Sequence, residues 1–359
     1  MANSKPILSS ILAAIALAAL VSHAYAINVQ VDYTYDTNNF FDTTAKRTAM
    51  QEAADRISRV IDSNLAAVGP SGTGTGTSAG WRIGFSHPGT GNLFQASTAA
   101  SFASDPLSGA GMADVYGFSG LQADTWILYA GGRDLTSLGG AVAVGGTGTG
   151  VNFVSTFNDL NGPMHRGLIP NTPSNTAGDL PVWGGAVSFG STVNWHFDTS
   201  TSAPFGAVDF YSIALHEISH ALGLSLSFNQ WEQFDTGGTF TGPQSVNAYN
   251  ADNGTSLTEL NQVSADNEHW EDGTYDSIIF AGGAPNYVGT AGAGNLQDLI
   301  MEPVANFSAS IRRLELTNVD VAAFRDIGWS TIAVPEPSTV LFFAMIAAVV
   351  GTKHWLARH

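Results

Sequence analysis

The chain has 359 residues, 44% of them hydrophobic, enough to bury a sizeable core in one large domain or two modest ones. Its balance of 13 Lys+Arg against 30 Asp+Glu argues against nucleic acid as a partner, because phosphate binding needs a basic surface. The absence of cysteine excludes disulfides, thiol catalysis and Cys-ligated zinc, and 40 glycines with only 12% charged residues suit a loop-rich, strand-rich exported protein.

The N-terminus carries Lys5, an apolar run from Ile7 to Val21, and then Ala24-Tyr25-Ala26. A basic start, a run too short for a comfortable membrane span and an A-x-A site read as a secretory signal peptide over residues 1–26, cut after Ala26. Val29–Tyr35 alternates and predicts a strand. Thr43–Val68 predicts an amphipathic helix, because Met50, Ala53, Ile57, Val60 and Ile61 recur at helical spacing and Gly69-Pro70 stops it. A long Gly/Ser/Thr-rich region follows, with strands expected over Thr125–Ala130 and Ala186–Phe189. Within it, Gly72–Gly80 and Gly139–Gly150 read as flexible low-complexity loops. They lack the Lys-Ser/Thr ending and following helix of a phosphate-binding loop. Thr192–Asp198 predicts another strand, and a helix begins at Asp209-Phe210 and ends at Gly223.

That helix holds H-E-x-x-H. His216 and His220 are four positions apart, so both imidazoles leave one face about a turn apart and can reach one zinc ion. Glu217 sits beside the ligand pair without belonging to it. There it can act as general base, taking a proton from zinc-activated water and passing it to the leaving amine. A catalytic zinc keeps three protein ligands and one open position. His269, in Asn267-Glu-His-Trp-Glu271, is the histidine between this helix and the C-terminal tail. Glu268 is the competing third ligand, since Asn267–Asp272 fits the N-E-x-x-x-D pattern of thermolysin-like enzymes, although Gly273 makes a poor helical frame there. The acidic composition leaves Ca2+ as a second candidate ion, with no EF-hand or nonapeptide repeat to hold it.

The pattern H-E-x-x-H-x-x-G, ending at Gly223, resembles the metzincin zinc metallopeptidases. In their compact members a third His lies three residues past the glycine, where this chain has Leu226. A distant His-Trp pair followed by a Met-turn resembles the leishmanolysin branch. That resemblance implies His269 as the third zinc ligand after an insertion over residues 224–268, and Met301, in Asp298-Leu-Ile-Met-Glu-Pro303, packed beneath the site. Leu316–Trp329 looks like the closing helix of such proteins, with Thr317 as its N-cap.

The C-terminus reads Val334-Pro-Glu-Pro-Ser-Thr339, an apolar run from Val340 to Gly351, and a basic end with Lys353 and Arg358. It resembles the PEP-CTERM sorting signal of Gram-negative bacteria. The resemblance implies an export machinery, transient membrane retention through a transmembrane helix, and processing by a sorting peptidase, followed by a place in the envelope or outside the cell. The expected fold is α+β over residues 27–329. A subdomain over 27–223 has a twisted mixed sheet backed by the first helix and the active-site helix, a smaller one over 224–329 holds His269 and Met301, and residues 330–359 form the tail. The expected function is an exported zinc-dependent endopeptidase acting on peptide or protein substrates. The alternative is a non-catalytic surface or extracellular-matrix protein on a metallopeptidase-like scaffold.

Overall fold

The first alternating stretch forms strand β1 (Asn28–Asp32), and the chain turns away at Thr34, whose N–H is captured by the Asp32 carboxylate. This computed structural model describes residues 27–67, 81–96, 121–139, 141–152, 166, 183–226, 229–263, 266–282, 294–303 and 313–332. After β1 come α1 (Thr44–Val60), β2 (Trp81–Ser86), β3 (Leu93–Ala96), β4 (Thr125–Arg133), β5 (Ala143–Thr147), β6 (Thr149–Asn152) and β7 (Gly184–Gly190). Then come β8 (Trp195–His196), β9 (Val208–Asp209), α2 (Phe210–Ala221), α3 (Asn229–Glu232), β10 (Thr239–Phe240), α4 (Pro243–Asn253), β11 (Leu260–Asn261), β12 (Asp276–Ile278), β13 (Leu296–Asp298) and α5 (Asn318–Asp326).

The main sheet is mixed, in the order β1-β4-β7-β5. β1 and β7 run parallel to β4 between them, and β5 is an antiparallel edge strand on β7. Every residue of β7 is buried, as expected for a strand covered on both faces. α1 packs on β1 and α2, and α2 lies across β5 and β7. The architecture is therefore α+β, with the two long helices on the mixed sheet. A second sheet, β3-β2-β6, is antiparallel.

Three elements differ from the sequence expectation. α1 stops at Val60 instead of Val68. Ile61 turns extended and bridges Thr331, while the Asp62 N–H donates to the Ser330 carbonyl and the Ile332 N–H to the Val60 carbonyl. Ile61 and Leu65 stay buried, but outside the helix, so a C-terminal segment and not Gly69-Pro70 ends it. Thr192–Asp198 keeps only the two residues of β8, because the Asp198 carboxylate takes the N–H and hydroxyl of Ser200 and turns the chain. Gly139–Gly150, expected as a loop, contains β5 and the start of β6. Backbone pairing to β7 and β2 needs no side-chain pattern, so the glycines do not prevent it.

The C-terminal half joins the same core: Trp231, Phe240 and Trp270 meet as an aromatic cluster, and one cluster of buried apolar residues includes members from Ile27 to Trp329. α5 starts with a capping box, Thr317 accepting from the Asp320 N–H while Asp320 takes the Thr317 N–H. A fully buried ion pair, Arg56 Nε to Glu315 Oε1 at 2.7 Å, ties α1 to the segment before α5, and the Tyr211 hydroxyl of α2 donates to the other Glu315 oxygen at 2.9 Å. Removing one partner strands the other charge in the core. Glu315→Ala is expected to lower unfolding stability by about 3–5 kcal/mol. Urea denaturation checks this, and an unshifted midpoint would show that the pair carries no such weight. Among the described residues no helix is long and apolar enough to cross a membrane; residues 1–26 and the Val340–Gly351 run lie outside them.

Candidate metal centre

α2 is fixed at both ends. Asp209 caps its start, Oδ2 accepting from the Ser212 N–H at 3.1 Å and hydroxyl at 2.7 Å, and Arg313 clamps the same carboxylate at 2.6 Å. At the other end Gly223 has φ +110°, a conformation that favours glycine. Its N–H donates to the His220 carbonyl at 2.9 Å, and the Leu224 N–H to the Ser219 carbonyl at 3.1 Å, the paired bonds of a Schellman turn. That reversal brings the Leu224 carbonyl back to His220, 2.7 Å from its Nδ1.

The other two imidazoles are held in the same manner. His216 Nδ1 lies 2.7 Å from the Ile300 carbonyl, and His269 Nδ1 lies 3.0 Å from Asp266 Oδ2. All three partners only accept, so each Nδ1 carries a proton, and a ring that is neutral, as a metal ligand must be, keeps its lone pair on Nε2. The three Nε2 atoms converge. They are 3.1 Å apart for His216 and His220, 3.2 Å for His220 and His269, and 3.3 Å for His216 and His269. Converging lone pairs repel unless a cation sits among them. A tetrahedral site with Zn–N of about 2.0–2.1 Å has ligand-to-ligand edges of about 3.3–3.4 Å. The triad can therefore hold a metal ion, and its spacing is close to those edges. Burial holds His216 down at about 4, with the neighbouring His269 adding to the effect, and burial holds His220 well below its ordinary value. Both are neutral, ligand-ready imidazoles at physiological pH.

Glu217 is 5% exposed, and its stretch of α2 lies against β5. Gly145 of β5 lies so close that a Cβ there would overlap the Glu217 carbonyl, and Gly185 of β7 meets Ala221 one turn further on. The Gly145 N–H is hydrogen-bonded to the Glu217 carboxylate. Burial nevertheless pushes that carboxyl up to about 8. Any side chain at 145 must push the strand off the helix. Gly145→Val is expected to lower unfolding stability by about 1–3 kcal/mol, the usual cost of overpacking. An unshifted urea midpoint would mean that β5 can move off α2 without cost.

His269 arrives on a bend with no regular secondary structure. The Asp266 and Asn267 N–H groups donate to the Val263 carbonyl, and the Val263 N–H donates to the His269 carbonyl at 3.0 Å. The next residue, buried Trp270, donates its N–H to the Met301 carbonyl at 3.1 Å. The turn at Ile300-Met301 thus supports two ligands, His216 through a carbonyl and His269 through Trp270. Met301 itself is fully buried. The turn is pinned in its own right, because the Ile300 N–H donates to Asp320 Oδ2, the capping carboxylate of α5, at 3.2 Å.

The competing ligand, Glu268, does not join the cluster: its Oε1 accepts from the Ser225 hydroxyl at 2.9 Å, and residues 267–269 are not helical. For calcium, no further group of three or more His, Asp or Glu side chains is gathered for a metal among the described residues. Sequence reasoning missed Gly145, Asp266, the Ile300 carbonyl and Asp320. Asp266 left a trace in the Asp-x-x-His spacing; a glycine in a glycine run and a backbone carbonyl leave none. No family model matches the chain, and no curated protein matches it in sequence.

Proposed function

We propose that this chain is an exported zinc-dependent endopeptidase. The observation that carries the reading is the convergence of three bare Nε2 atoms, each ring locked from behind, with a buried carboxyl at the position following the first ligand. Zinc, when bound, supplies Lewis acidity and makes water a usable nucleophile near neutral pH. His216, His220 and His269 would hold it through Nε2 and leave one position open. Glu217 takes the proton from the attacking water and delivers it to the departing amine nitrogen, so no covalent enzyme intermediate is needed. Burial alone favours the protonated Glu217, but a nearby dication favours the carboxylate, so the base is readied where the metal is present. Among the described residues β5 is the last strand of the main sheet, and such an edge strand beside Glu217 suits an extended peptide. The leader and tail motifs support export and transient membrane retention.

The test is hydrolysis of an unstructured protein substrate by the full chain, with and without a zinc chelator. Activity should vanish with chelator and return with added Zn2+. Zinc-loaded protein that cleaves nothing would favour a non-catalytic surface protein on this scaffold, and chelator-resistant cleavage would place the chemistry elsewhere.

A further inference from the structure

We propose that Asp266 is a positioning residue for the metal, orienting the His269 ring and strengthening it as a ligand through its negative charge. The proposal rests on the histidine triad binding a metal ion. His216 and His220 need little further support, since they stand one turn apart on a capped helix and their Nδ1 atoms meet neutral carbonyls. His269 has neither advantage. It sits on a bend where Asn267 adopts φ +54°, a left-handed conformation uncommon outside glycine. One carboxylate compensates by wrapping this bend. Asp266 Oδ1 takes the Glu268 N–H at 3.0 Å and the His269 N–H at 3.3 Å, while Oδ2 takes His269 Nδ1 at 3.0 Å. Backbone and ring of the ligand are thereby fixed from a single side chain three positions away.

Charge adds a second effect. A dication among three neutral imidazoles brings two positive charges into a largely buried site. Among the three Nδ1 partners Asp266 is the only charged one. An imidazole whose N–H donates to a carboxylate is a more basic ligand than one donating to a carbonyl. The side chain is 38% exposed, so Asp266 carries this charge without a large desolvation cost.

Orientation and charge can be separated. Asp266→Asn keeps an oxygen that can accept from the ring or the backbone but removes the charge; Asp266→Ala removes both. Co2+ and Zn2+ affinities of the full chain, measured by competition against a chelator of known strength, should fall by roughly 10–100-fold in Asp266→Asn and further in Asp266→Ala. The visible Co2+ absorption should shift in both. Glu268→Gln, which alters the neighbouring carboxylate bonded to Ser225, should bind like the wild type. An Asp266→Asn affinity within twofold of wild type would overturn the proposal while leaving the triad as the metal site. A wild-type chain that takes up no Co2+ would overturn the metal reading itself. A measurement on the unmutated protein guards against a variant that misfolds. In the Zn2+-loaded wild type, the His269 Nδ1 proton should resonate downfield of those of His216 and His220, as a carboxylate-bonded imidazole does, and three equivalent shifts would contradict the assignment.

Discussion

Glu217→Gln is expected to lower peptide hydrolysis by roughly 10²–10⁴-fold, the usual weight of a positioned general base, while the protein keeps its full complement of metal. Gln has the shape of Glu and can still accept from the Gly145 N–H, so packing against β5 survives. What it lacks is an oxygen that can accept a proton from water and hand it on. The substitution removes no metal ligand, since the three converging Nε2 atoms belong to His216, His220 and His269. The wild-type carboxyl is 5% exposed, and replacing it by an uncharged amide removes a desolvation penalty. The variant should therefore be at least as stable as the parent. Turnover, bound zinc and thermal midpoint measured on one preparation decide the matter. Retained turnover in a zinc-loaded Gln variant would eliminate Glu217 as the base.

His269→Ala is expected to strip the metal, whereas Glu268→Gln leaves it in place. His216 and His220 alone give two nitrogens from one helix face, and two ligands do not hold a catalytic zinc. The loss should exceed the roughly 10–100-fold effect of removing only a hydrogen-bond partner behind a ligand. His216→Ala and His220→Ala should behave likewise. The two loop variants discriminate sharply because their side chains diverge: His269 Nε2 faces the other imidazoles, while Glu268 bonds Ser225. Metal analysis after dialysis reads the difference. Zinc lost in Glu268→Gln and kept in His269→Ala would mean that the loop rearranges to present the glutamate.

The helix carrying His216, Glu217 and His220 was legible because everything that shapes it is local. Asp209 caps it, the spacing of four sets the ligand face, and Gly223 ends it. α1 was misjudged at its far end for the opposite reason. Ile57, Val60, Ile61 and Leu65 are all buried, so the apolar pattern continues past the helix. What turns Ile61 into extended backbone is pairing with Thr331 and Ser330, which no local window contains. β5 is not legible because a strand made of Ala-Val-Gly-Gly-Thr has almost no side-chain alternation, and of its two glycines only Gly145 is required by the closeness of α2. His269 could be singled out by elimination among histidines, but its geometry could not. Its orientation depends on Asp266 nearby and on a Met301 carbonyl that carries no residue-type signature.

The bond from the Ile300 N–H to Asp320 has a consequence for the making of the protein. A chain is synthesised from its N-terminus, so α2 and its two histidines exist well before the turn that orients His216 and before the helix cap that pins that turn. Folding of the N-terminal half alone leaves His216 without its carbonyl partner and His220 without a third nitrogen to complete the triad. The triad is complete only once the segments carrying His269 and Ile300 are in place. The capacity to hold a metal ion therefore arrives late in synthesis, together with the C-terminal segments.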